Sequence, residues 1–325
     1  MSKTLKKTLF YLLHLGGFVL LWYIVKDLQW KDFMKALASY PAWKYAFGLL
    51  SLCGVYALKS WRWQILNRAF GVNTSFGTAL LFYLAAGFLS VFTPGRLGEF
   101  AKIYFLKQKY GIDTARATSS VILDRIWDVL VLSIFGSISL ALFYGNAAPF
   151  ILIFIGLMLT GSVVVILFPR GIFQPLLFIL RRFERLHSKV EEIYLMWKAN
   201  RFNNLIPALL LSVSSFLMLA AIPLMFSSNT SCPIFLMDGV GAISISNILS
   251  FIPVTVAGFG TRELVFTGIW NLHEYPKEVA LSVSTAYFMV SYLGSFLIGG
   301  VVYLLNLKQL YRPGELKRMQ DSSTK

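Results

Sequence analysis

Residues 76–99 read FGTALLFYLAAGFLSVFTPGRLGE, a stretch without a charge over 76–92 that runs through Phe92-Thr93 into Pro94-Gly95-Arg96-Leu97-Gly98-Glu99. Residues 233–263, PIFLMDGVGAISISNILSFIPVTVAGFGTRE, repeat the plan: a long apolar stretch, then Pro253-Val254-Thr255, then Ala257-Gly258-Phe259-Gly260-Thr261-Arg262-Glu263. Proline and glycine break a helix and free backbone polar groups. At membrane depth that is tolerable only against protein or a water-filled cavity. An arginine at such a break can grip a phosphate bidentately, and a glutamate can orient it or act as its counter-ion.

The rest of the chain supplies the membrane. Of 325 residues, 57% are hydrophobic and 14% charged, against about 25% charged in soluble domains. Apolar segments near the roughly 20 residues needed to cross a bilayer can be drawn at 8–25, 43–58, 76–92, 117–143, 149–168, 204–226, 233–256 and 280–305. No linker of domain size separates them, so residues 1–325 read as one polytopic, all-α integral membrane domain. The first segment follows Lys3, Lys6 and Lys7 like a secretory signal, but its apolar run is long and no small-residue cleavage site follows, which predicts a retained helix. Between 171 and 200, Phe183, Leu186, Val190, Ile193, Tyr194 and Trp197 recur at helical spacing opposite Arg182, Arg185, Lys189 and Glu192, the pattern of an interfacial amphipathic helix.

Net charge is +15. Most basic residues flank apolar runs, where topology and anionic lipid account for them, so nucleic-acid binding is excluded. Eight simple crossings divide 29 of the 30 Lys and Arg as 18 against 11. Allowing 76–92 and 233–256 to enter the membrane and return to their own side gives 23 against 6, a far better fit to the positive-inside rule. The expectation is therefore six crossings and two re-entrant hairpins, both termini in the cytoplasm, and a basic cytoplasmic tail over 306–325. Helix, hairpin, helix then occurs twice with opposite orientation, over about 43–143 and 204–305, an inverted repeat of the kind used for alternating access.

Between the motifs lies Leu123-Asp124-Arg125-Ile126-Trp127-Asp128. Asp124 and Asp128 share a helical face with Arg125 beside them, and charge at that depth faces a bundle interior or cavity. These residues are expected to line the cavity and to partner Arg96 or Arg262. Arg62, with Trp61, Trp63 and Arg68, reads as an interfacial anchor and a secondary headgroup contact. Lys102, in a basic stretch with Lys107 and Lys109, reads as attraction to anionic lipid. GxSxG, HExxH and P-loop signatures do not occur, and Gly258-Phe259-Gly260 lacks the third glycine of a dinucleotide site. His273-Glu274 is an isolated pair in a short outer loop. Cys53 and Cys232 form no CxxC, and His14, His187 and His273 are scattered, so no metal site, disulfide, cofactor or catalytic residue is expected.

Taken together, the 94–99, 123–128 and 258–263 motifs resemble the lysylphosphatidylglycerol synthase transmembrane family, also called flippase-like or UPF0104 proteins, over roughly residues 8–305. The resemblance implies translocation of polar-headgroup lipids between leaflets. It implies substrate-binding roles for Arg96, Glu99, Asp124, Arg125, Asp128, Arg262 and Glu263, with Pro94, Gly95, Gly98, Gly258 and Gly260 shaping the breaks. The chain ends soon after its last apolar segment, so the soluble transferase domain of two-domain members is expected to be absent, and synthase activity with it. Membrane lipids with anionic or phosphate-containing headgroups are the expected partners, in the cell membrane. A homo-oligomer or a cell-envelope enzyme partner stays open. A headgroup transferase and a non-transporting partner protein are the alternatives.

Overall fold

The computed structural model describes residues 30–143, 156–163, 169–182, 187–188, 190–192, 194–195, 205–228, 230, 233–250 and 260–311. Every regular element among them is helical: α1 Trp30–Ala38, α2 Ala42–Ala69, α3 Phe76–Val91, α4 Ala101–Tyr110, α5 Thr114–Phe143, α6 Pro169–Leu180, α7 Leu205–Ser227, α8 Leu236–Ser250, α9 Thr261–Leu272 and α10 Lys277–Leu305. Only a helix satisfies its own backbone in a medium without water, which is why the apolar segments of the sequence coincide with helices.

Helix length sorts these elements. At 1.5 Å per residue, α5 and α10 reach about 45 Å, and α2 and α7 exceed 30 Å, enough for the hydrocarbon core. Among the described residues α7 and α10 combine that length with an apolar composition. α2 and α5 have the length but carry Lys59 and Arg62, and Asp124, Arg125 and Asp128. At 16 and 15 residues, α3 and α8 span only about 24 Å. α3 is succeeded by a break and the short α4, and α8 and α9 flank residues 251–259. The expected segment 8–25, most of 149–168 and the tail from 312 lie outside the described residues. Of the expected amphipathic stretch 171–200, α6 covers the start and only scattered positions thereafter are described.

Packing follows a pattern of pairs. α2 runs against α7, α3 against α10, and α5 against α8, while α1 leans on α10. Small residues set the close approaches. A Cβ at Gly299 would lie 2.7 Å from the Leu84 carbonyl oxygen, joining α10 to α3. One at Gly241 would lie 2.0 Å from Ser139 Oγ, joining α8 to α5. One core gathers Trp63, Phe82, Phe105 and Leu106 around α2–α4. A second gathers Phe216, Phe226, Phe266, Trp270 and Tyr287 around α7–α10. The apolar surface turned outward, including Leu50, Phe47, Leu210, Leu297 and Leu304, is the face a bilayer would cover.

Candidate functional site

The break after α3 is built by Thr93. Its Oγ1 accepts from Gly98 N at 2.6 Å, and its carbonyl accepts from Arg96 N at 3.3 Å. Between these bonds the chain turns through the left-handed region at Gly95 (φ 60°) and at Arg96 (φ 57°). Glycine accommodates that conformation, but an arginine there is strained, a feature associated with functional positions. Gly98 is required by contact: a Cβ would lie 2.3 Å from the Leu89 carbonyl carbon. Arg96 stays about one third exposed and reaches Glu99 Oε1 through Nε at 3.2 Å. Glu99 in turn pairs with Arg125 of α5.

Beside this break three helices pool their charges. Asp124 is fully buried and accepts from Arg62 Nε at 3.0 Å and Nη2 at 2.6 Å, from Tyr83 OH at 2.9 Å and from Lys102 Nζ at 2.7 Å. Asp128, one turn along, pairs with Lys59 at 2.9 Å and Arg62 Nη1 at 2.8 Å, while Arg125 Nη1 stands 3.8 Å away. Arg62 Nη1 also donates to Ser212 of α7 at 2.8 Å. Lys102 lies over the Tyr83 ring at 3.9 Å and the Trp63 ring at 5.0 Å, which adds cation–π attraction. Buried charge survives only when paired and hydrogen-bonded, and here Asp124 fills its acceptor sites.

The expected partnership of Asp124 and Asp128 with Arg96 or Arg262 is therefore corrected: they hold Lys59, Arg62 and Lys102. Arg62 and Lys102, expected near the membrane surface as secondary headgroup contacts, are fully buried. Trp61 beside them is more than half exposed, so one face of the same turn does meet the surroundings. Lys59 and Tyr83 were not singled out from the sequence. Lys59 and Arg62 stand three apart on α2 and Asp124 and Asp128 four apart on α5, and that complementary spacing on two helices was the legible signal.

The cluster opens on a cavity of about 90 Å³. Lys59, Tyr83, Arg96, Glu99, Arg125 and Asp128 line it from the first half of the chain, and Ser212, Asn247, Tyr287 and Tyr292 from the second, with Leu52, Val55, Val131 and Phe216 as apolar wall. Tyr287 and Tyr292 belong to α10 where one π-helical turn, Met289–Leu293, interrupts it. Such turns occur at functional sites, and this one aims Ser291, Tyr292 and Ser295 at the cavity.

The second motif is placed differently. Arg262 is buried, pairs with Glu263, donates from Nε to Ser284 Oγ at 3.0 Å, and lies 4.7 Å over Phe288 and 5.7 Å over Tyr292. Glu263 Oε2 reaches back to Gly260 N at 2.8 Å, fastening the start of α9 at a positive-φ glycine (φ 85°). Neither Arg262 nor Glu263 is among the residues lining the cavity, although Tyr292, over which Arg262 lies, is one of them. Gly258 lies outside the described residues, and Pro94 is placed in its backbone alone. His273 Nε2 lies 3.1 Å from the buried Asp238 of α8, so His273 of the His273-Glu274 pair has a second carboxylate beside it that the sequence did not mark.

These features define a class: an all-helical membrane protein whose charged residues gather at a broken helix beside an internal cavity. The sequence pattern of the lysylphosphatidylglycerol synthase TM region matches residues 9–299, and the chain belongs to that family. It is similar to two proteins of Methanocaldococcus jannaschii. UPF0104 membrane protein MJ1078 is 22% identical over 67% of this chain and 94% of its own length. UPF0104 membrane protein MJ1595 is 22% identical over 79% of this chain and 82% of its own.

Proposed function

We propose that the protein is a flippase-like transporter that moves a lipid with a phosphate-bearing polar headgroup between the leaflets of the cell membrane. The observation that carries this reading is the charged cluster of α2, α4, α5 and the 94–100 turn, set among apolar helices and opening on a cavity shared by both halves of the chain. Ionisable residues inside membrane domains mark substrate pathways by default. The proposal includes six crossings, two re-entrant hairpins and cytoplasmic termini. Support for an inverted repeat comes from the exchanged packing: α3 of one half on α10 of the other, α8 of the second on α5 of the first, and α2 on its counterpart α7. The short pairs α3/α4 and α8/α9 occupy corresponding places.

In this reading the headgroup phosphate meets Arg96, whose guanidinium is partly exposed to the cavity, and Arg125. Acyl chains follow the apolar wall. The role is transport, without chemistry on the lipid. The test is a reconstituted, leaflet-sensitive translocation assay on wild type, Arg96→Ala and Arg262→Ala. Arg96→Ala is expected to abolish movement. Unchanged translocation in Arg96→Ala sinks the site assignment, and chemical conversion of lipid by the purified protein would favour a transferase instead.

A further inference from the structure

The charges around the cavity do not balance. Five cations, Lys59, Arg62, Arg96, Lys102 and Arg125, face three carboxylates, Glu99, Asp124 and Asp128, a formal excess of two positive charges among the described residues. Residues 251–259 contain no ionisable side chain, and Arg262 is neutralised by Glu263. Uncompensated charge in a low-dielectric interior is costly, so the excess marks the charge of what the cavity holds. Lys59, Arg96 and Arg125, the three cations that line the cavity, are those least committed to Asp124.

A cavity of about 90 Å³, at about 10–15 Å³ of such space per water, takes a handful of waters and has room for a phosphate group. A phosphate monoester carries about −1.5 to −2 at neutral pH, whereas a diester carries a single negative charge and a choline lipid none.

We infer that this cavity recognises a dianionic terminal phosphate monoester, carried by a lipid or free, in preference to diester or zwitterionic headgroups. The inference deepens the transporter reading and rests on it only in taking this cavity as the substrate site. Lys59, about one fifth exposed and among the described residues bound to Asp128 alone, is the residue whose charge sets the preference.

The experiment measures binding to the purified full-length protein in detergent by native mass spectrometry and thermal stabilisation. The probes are phosphatidate, phosphatidylmethanol, phosphatidylcholine and inorganic phosphate. Phosphatidate and phosphatidylmethanol differ by one methyl and one charge, so headgroup size is held nearly constant. Phosphatidate should bind roughly tenfold tighter than phosphatidylmethanol, the worth of one further charge-assisted contact, and phosphatidylcholine should not compete. Lys59→Gln should erase that preference and Lys59→Arg should restore it, which a mere folding defect would not do. Equal affinity for the first two lipids, or a preference for phosphatidylcholine, overturns the inference. Inorganic phosphate that matches phosphatidate upholds recognition of a dianionic phosphate group and identifies the free ion as its source. Phosphatidate that binds but is not translocated removes the transporter reading and leaves this one standing. Arg96-dependent translocation of lipids without a monoester preference does the reverse.

Discussion

Asp124→Asn tests whether the buried network holds the fold together. The wild-type carboxylate is fully buried and receives four donor contacts at 2.6–3.0 Å from Arg62, Tyr83 and Lys102. An amide is nearly isosteric but uncharged, and its nitrogen cannot accept. Lys102, also fully buried, would then have no carboxylate within reach among the described residues, and the excess positive charge would rise from two to three. Removing one partner of a buried ion pair costs about 3–5 kcal/mol. At roughly 2–4 °C per kcal/mol for a large domain, the midpoint should fall by about 6–20 °C in a detergent melt followed by size-exclusion fluorescence. Adding Lys102→Met withdraws the orphaned charge and keeps its volume apolar, so the double variant should regain much of the loss. The coupling should lie near the upper part of the range of about 0.5–3 kcal/mol seen for contacting residues. A single variant that melts within a few degrees of wild type, or a double variant no better than the single, would refute the reasoning.

Four further outcomes are expected. Gly299→Ala puts a methyl 2.7 Å from the Leu84 carbonyl and should destabilise by about 1–3 kcal/mol. Gly77→Ala, with nothing within 4 Å, should be neutral or stabilising in the same melt. Arg262→Ala should lower the melting midpoint through loss of its contacts to Glu263, Ser284 and Phe288 while leaving lipid affinity near wild type, the opposite of Arg96→Ala; equal loss of affinity in both would move Arg262 into the binding site. In a Cys53→Ala/Cys232→Ala background, Asn73→Cys and Asn271→Cys, both at exposed positions, should react with an impermeant thiol reagent from opposite faces of the membrane, cytoplasmic and external respectively. Labelling of both from one side would remove the six-crossing topology.

Much of this protein is decided one residue at a time along the chain. Apolar run length, the scarcity of charge and the glycine-broken motifs at 94–99 and 258–263 define helices and their breaks, because those properties depend on local composition and backbone sterics alone. The expected segments at 43–58, 76–92, 117–143, 204–226, 233–256 and 280–305 all coincide with helices where the structure describes them. The charged residues were also visible as a set, since charge in an apolar context is conspicuous.

Which charge meets which was not visible. Arg62 and Lys102 carry the same sequence surroundings as surface anchors, and only the crossing of α2, α4 and α5 brings both to Asp124. The two glycine motifs look alike as strings, yet the first supplies Arg96 to the cavity, while Glu263 of the second fastens the start of α9 and neither it nor Arg262 lines that cavity. The excess of positive charge is likewise a property of the assembled cluster. Helix formation is a short-range matter of backbone hydrogen bonds, which a sequence displays. Ion pairing in a low-dielectric interior is decided over a few ångströms between residues up to 69 positions apart, as in Lys59 and Asp128, and only the packed helices set those distances.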